Sequence, residues 1–163
     1  MNVLVAAASR HGATQEIADA IGITLNAEGM SASVVPIAEV ADLAGYEAFV
    51  LGSAVYMGRW LDSAKTFVER NSETLSNQPT WLFSSGPIGD PPRPKQPEAV
   101  DVDDVVSKTH ANEHKLFAGK LDKNALGFGE RAVMLAFRAV EGDYRDWDEI
   151  QAWARAVAQE LRR

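Results

Sequence analysis

Residues 3–14 decide the fold: Val3-Leu4-Val5-Ala6-Ala7-Ala8 runs straight into Ser9-Arg10-His11-Gly12-Ala13-Thr14. Val3 to Ala7 is continuously apolar, without the polar alternation of a half-exposed strand, and so reads as a strand buried on both faces. The next six residues are small, hydroxylated or charged. They lead into a pattern in which Ile17, Ala18, Ile21 and Leu25 share one helical face, with Glu28-Gly29 as the stop. The buried-strand signature returns at Ala48 to Ser53 and at Thr80 to Ser85, and shorter versions occur at Ala32 to Pro36 and Lys115 to Ala118. Between them the spacing predicts a weak helix from Ile37 to Leu43, a helix through Ala64, Phe67, Val68 and Leu75, and a short helix from Val102 to Lys108. Two helical patterns close the chain, roughly Gly129 to Val140 and Asp146 to Leu161.

Strands of this kind alternating with helices imply an α/β fold, a parallel sheet covered on both faces. Right-handed crossovers wind it into a doubly wound sandwich, whose ligands bind beyond the carboxyl ends of the strands. The chain has 163 residues, the size of one domain, with 46% hydrophobic and 24% charged residues. Sixteen basic against 23 acidic side chains leave a formal charge of −7, which argues against nucleic acid as a partner. Cysteine is absent, which excludes disulfides, cysteine-ligated clusters and a thiolate nucleophile. With no signal-like segment at the N-terminus, the expected location is the cytoplasm.

Three strand ends carry candidate chemistry. In the first, Gly12 permits a tight turn, Thr14 is placed to cap the helix, and the free N–H groups of its first turn suit a phosphate. An ordinary capped turn would read the same way. Ser53-Ala54-Val55-Tyr56-Met57-Gly58, continuing through Arg59 to Trp60, gathers aromatic rings and a methionine in a loop, as if to cover a flat aromatic ligand. Tyr56 and Trp60 packed on the following helix would be the plainer arrangement. Ser84-Ser85-Gly86-Pro87-Ile88-Gly89-Asp90 offers hydroxyls and close-set amides for the polar edge of a heterocycle, or forms a simple Gly-Pro turn.

Together these three turns resemble those of flavodoxin-like proteins that bind flavin mononucleotide (FMN), over nearly the whole chain. Ser9-x-x-Gly12-x-Thr14 is similar to the phosphate loop, and the other two turns are similar to the loops that grip the isoalloxazine ring. Leu51 to Gly58, Phe117 to Asp122 and Glu141 to Trp147 resemble the branch that includes menaquinone-dependent protoporphyrinogen oxidase. The resemblance implies a five-stranded parallel sheet of order 2-1-3-4-5 and FMN as cofactor. It assigns binding roles to Ser9, Arg10, His11, Gly12, Ala13, Thr14, Ser53, Ala54, Val55, Tyr56, Met57, Gly58, Ser84, Ser85, Gly86, Pro87, Gly89 and Asp90. Arg10 and His11 stand where many relatives carry a further hydroxyl. An extra helical segment is expected at about 122–145. The implied activity is flavin redox chemistry, as an electron carrier or as an oxidoreductase on a porphyrinogen or quinone, with a reductase as another partner. The Met57–Gly58 peptide is expected to reorient on reduction. A flavodoxin-fold binding module without firm flavin is the alternative.

Gly129 to Val140 is mostly apolar and either covers the sheet or docks a quinone, a tetrapyrrole or, weakly, a membrane surface. A homodimer is left open. His110-Ala111-Asn112-Glu113-His114 matches the H-x-x-E-H pattern of inverted zincins, which makes a zinc peptidase a remote alternative. Gly127 to Ala132 matches G-x-G-x-x-A, but no second strand follows to complete a dinucleotide-binding unit.

Overall fold

A computed structural model describes residues 1–86, 101–121 and 142–163. Pro87, Gly89, Asp90 and nearly all of the expected helical segment at 122–145, with Gly129 to Val140, therefore lie outside the described residues.

Strand β1 (Asn2–Ala8) leads to helix α1 (Ala13–Ala27), strand β2 (Ser31–Pro36) and a single 3-10 turn (Ile37–Glu39), shorter than the helix expected there. Strand β3 (Ala48–Tyr56) turns back into the two-residue β4 (Arg59–Trp60). Helices α2 (Asp62–Arg70) and α3 (Ser72–Asn77) precede β5 (Thr80–Ser85). Helix α4 (Asp103–Thr109), β6 (Glu113–Phe117), the short pair β7 (Lys120–Leu121) and β8 (Gly142–Asp143), and α5 (Trp147–Leu161) follow.

The main sheet runs β2-β1-β3-β5-β6 with every neighbour parallel, and β4 lies antiparallel to the end of β3. Its five long strands follow the expected 2-1-3-4-5 order. Strand β1 shows why both faces are covered. Val3, Val5 and Ala7 enter one apolar core with α1 and α5, while Leu4, Ala6 and Ala8 enter the other with α2, α3 and α4. Neither face is left for a polar site.

The expected single helix through Leu75 is broken at Asn71, whose side-chain amide donates to the Phe67 carbonyl at 2.8 Å. That bond occupies an acceptor near the helix end, as asparagine often does at such breaks. On the α2–α4 side, Trp60 is buried and its indole N–H donates to the Ser84 hydroxyl at 2.7 Å. Ser84 lies 2.7 Å from His114 Nε2. The Ser84 hydroxyl and His114 Nε2 thus share a hydrogen bond whose direction follows the ring tautomer.

Two measurements follow from this packing. A Cβ added at Gly52 would collide with the tip of the Phe83 ring on the neighbouring strand, with no flexible chain end to give way. Gly52→Ala should cost about 1–3 kcal/mol, read as a lower midpoint at unchanged slope in urea unfolding. Burial also holds His114 below its ordinary 6.5, overriding the opposing charge of Glu113. The unfolded chain then takes up this proton first as pH falls, so the folded state loses stability from about 6.5 downward until the folded ring titrates. His114→Gln should flatten that part of the stability profile, and an unchanged slope would show that the ring does not titrate in this way.

Candidate functional site

The carboxyl ends of β1, β3 and β5 lie side by side. Ala8 pairs with Ser53, Ser53 with Ser84, and Ala54 with Ser85. The three turns singled out in the sequence therefore leave one rim of the sheet.

At β1, Gly12 is the N-cap of α1 with φ of 90°, a left-handed conformation that a glycine adopts without steric cost. Thr14 does not cap, contrary to expectation. It lies inside the first turn and is buried, because the helix starts two residues earlier than a threonine cap would allow. Ser9 supplies a different contact, its hydroxyl accepting from the Gly12 N–H at 2.9 Å. The first turn has no side-chain cap, so its N–H groups point outward with the positive end of the helix dipole. Arg10 and His11 are exposed beside it, and Ala13 is half-buried.

At β3, the strand continues past Ser53 to Tyr56 and folds back through Met57 and Gly58, where Val55 pairs with Trp60 and Tyr56 with Arg59. Met57 and Gly58 both have positive φ, 53° and 76°. That is the pattern of a type I′ hairpin turn, which suits the twist of the paired strands. For methionine the left-handed region costs roughly 1–2 kcal/mol. Met57 is 61% exposed and Tyr56 37%, whereas Trp60 is buried beneath them. Trp60 therefore belongs to the core, and Tyr56 does not. The Arg10 guanidinium lies over the Tyr56 ring, 4.7 Å from its centre, linking the first turn to the hairpin. Ser53 is fully buried, donating to the Ala54 carbonyl at 2.8 Å and accepting from the Leu61 N–H at 3.0 Å.

At β5, Ser84 is engaged with Trp60 and His114 as described, while Ser85 and Gly86 form the edge above it. Gly86 N–H donates to the Phe117 carbonyl at 2.9 Å, and Gly119 packs so closely that a Cβ there would sit 3.2 Å from Gly86 N.

Sequence reasoning missed one part of this rim. Asp143, Tyr144 and Arg145 come back against it from the far end of the chain: Tyr144 N–H donates to the Gly119 carbonyl at 3.1 Å, and Arg145 ion-pairs with Glu16 of α1 at 2.8 Å. The hydrogen bond from Arg145 holds the Asp143 carboxyl below its ordinary range, and the same contact raises Arg145. The segment Glu141 to Trp147 carries a family resemblance in the sequence, but no site role is read from it there.

The zinc-peptidase pattern does not assemble. On strand β6 successive side chains face opposite ways. Glu113 accepts from the Trp153 indole at 3.0 Å on one face, while His114 meets Ser84 on the other. His110 sits beyond the end of α4. Among the described residues no group of three His, Cys, Asp or Glu could hold a metal ion. Among them, too, no helix is long and apolar enough to cross a membrane.

Comparison with known proteins agrees with this architecture. Protoporphyrinogen IX dehydrogenase (quinone) of Escherichia coli is 20% identical to the chain over an alignment of 172 positions, covering 97% of this chain and 95% of that protein. A cysteine-to-serine variant of the flavodoxin from Pseudomonas aeruginosa superimposes with a TM-score of 0.66 at 17% identity, covering 100% of both chains. Oxidised flavodoxin 2 of Bacillus cereus gives 0.65 at 19% identity, covering 98% of this chain and 99% of the other. The family model for the flavodoxin domain matches residues 4–148, and the chain belongs to that family.

Proposed function

We propose that the chain binds FMN on this rim and acts as a flavin-dependent redox protein, with a porphyrinogen-like substrate and a quinone acceptor as its reaction. The observation that carries the reading is the convergence of an uncapped helix turn, a strained aromatic hairpin and a close-packed glycine edge on one rim. The E. coli dehydrogenase, similar over nearly the full chain, supports the substrate class.

The residues present suit the cofactor. The α1 N–H groups at Ala13 and Thr14 would meet an anion without competition from a side-chain cap, and the Ser9 hydroxyl still carries a proton to donate. Tyr56 and Met57 present apolar surface that a planar ring would cover. Ser85 and Gly86, the latter with its N–H held by the Phe117 carbonyl, lie at the end of β5 where the ring's polar edge would lie. Bound flavin supplies reversible uptake of one or two electrons, and the protein supplies position and electrostatics. Ser53 and Ser84, held by Leu61 and Trp60, aim the backbone on either side of them. Arg10, placed over the Tyr56 ring beside the first turn, would supply a charge-assisted contact to the phosphate in place of the hydroxyl found in many relatives.

The test is direct. Protein purified or reconstituted with FMN should show flavin absorption bands and quench flavin fluorescence at one equivalent. A colourless protein that FMN does not titrate overturns the reading in favour of a binding module. Anaerobic turnover of a porphyrinogen with a quinone separates an oxidoreductase from an electron carrier. The Met57–Gly58 peptide gives a second prediction. It carries strain already, so a change at Gly58 alters the balance between its two orientations. Gly58→Ala introduces a side chain at φ of 76°, a cost of roughly 1 kcal/mol, and should move the one-electron potentials of the loaded protein by roughly 40 mV. Proline does not serve here, because its ring cannot reach positive φ and would break the hairpin.

A further inference from the structure

Arg145 reaches α1 from the far end of the chain, 129 residues from Glu16. Its side chain is only 4% exposed. Nε and Nη2 donate to the two oxygens of Asp143 at 2.8 and 2.7 Å, and the Arg145 N–H returns to the same carboxylate at 3.1 Å. Nη1 donates to Glu16 at 2.8 Å and reaches the carbonyl of Ala13, the first residue of α1, at 3.4 Å. The guanidinium lies over the Trp147 ring, 4.6 Å from its centre. One residue earlier, Tyr144 is tied to Gly119, which packs on Gly86 and Ser85.

The segment therefore spans the rim, from the edge beside Gly86 to the first turn of α1. Two carboxylates against one guanidinium leave the group with an excess negative charge, so it adds no net attraction for an anion. A carboxylate alone in the first turn would satisfy the helix dipole, and Glu16 already stands there. The contact that neither charge balance nor the dipole requires is the reach past Glu16 toward the Ala13 carbonyl, which together with the Glu16 pair ties the guanidinium to two points of the first turn.

We propose that Arg145 is a positioning residue: it clamps the first turn of α1 in the orientation that receives a phosphate, and so gives the site its preference for FMN over the same ring without the phosphate. This rests on the FMN reading above. A lysine keeps the charge but loses the planar fork that binds Asp143 and Glu16 together, so Arg145→Lys separates position from charge.

The experiment titrates FMN and riboflavin by fluorescence quenching into wild type, Arg145→Lys and an Asp143→Asn, Arg145→Met double variant. The double variant leaves no buried charge unpaired, so a folded protein remains to be measured if the lysine variant fails to fold. Alongside, hydrogen exchange is followed in the ligand-free proteins at the Glu16 N–H, which closes the first turn on Gly12 at 3.0 Å. The expected result is an FMN affinity lower by on the order of tenfold, riboflavin affinity within about twofold of wild type, and faster exchange at Glu16 with the sheet amides unchanged. Equal loss for both flavins would make Arg145 merely structural and overturn the proposal. So would unchanged FMN affinity, or unchanged exchange at Glu16. If wild type binds neither flavin, the reading of function fails on its own, and the preference for FMN fails with it; the exchange result then decides whether the clamp exists.

Discussion

Burial on both faces of the sheet is the constraint from which the rest follows. Successive residues of β1 and β3 feed two separate apolar cores, so neither side of a strand has room for a polar ligand group. Polar and strained features are displaced to the ends, where the chain leaves the sheet. The carboxyl ends are favoured because helices α1 and α2 begin close behind them, and the N-terminal end of a helix presents donors. The opposite end of the sheet holds a cavity lined by Asn2, Asn26, Ser31, Ser33 and Tyr46 among others, but Asn26 and Asn2 spend their amides on the Ala32 and Gly45 backbones. A site built from donors aimed outward has only one end on which to form.

On that rim the hydrogen bonds sort the residues into fixed and adjustable ones. Ser53, Ser84 and Trp60 are buried and mutually bonded or tied to backbone, so they behave as extensions of the core. Tyr56 and Met57 stand on exposed surface, with the Arg10 guanidinium over the Tyr56 ring. The unfavourable φ of Met57 persists because β3–β4 pairing and the buried Trp60 hold both sides of the turn. Strain of this kind survives only where surrounding structure overdetermines it.

The central strands β1, β3 and β5 were legible because each carries a continuous apolar run, whereas the flanking β2 and β6 begin with polar, exposed residues and show only a shorter signature. Local features set by side-chain hydrogen bonds were less so. Asn71 divides one apolar helical stripe into two helices, and nothing in the spacing of Ala64, Phe67, Val68 and Leu75 reveals it. Thr14 has the right chemistry for a cap and still lies inside the helix, because Gly12 reaches the left-handed conformation that starts the turn earlier. The β4 hairpin was hidden because methionine at positive φ is a poor turn signal, and Gly58 alone reads as an ordinary loop glycine. The zincin pattern, a remote alternative from the sequence, fails for a local reason: the letters match, but a strand sends Glu113 and His114 to opposite faces.

Long-range ion pairs were the least legible, and Arg145 shows why. Its neighbours Asp143 and Trp147 are local, and a bidentate pair between Asp143 and Arg145 could form in a two-residue span of almost any fold. What gives the group its position is Glu16, on a helix that the sequence reading already treated as complete. Burying a guanidinium costs several kcal/mol unless its donors are met, so the fold tolerates it only where carboxylates from two distant segments converge. Convergence of that kind is a property of the folded rim. A buried cation with two carboxylates and a backbone carbonyl is thus a marker of where distant segments must keep register, and in this chain it lies on the turn whose donors remain uncapped.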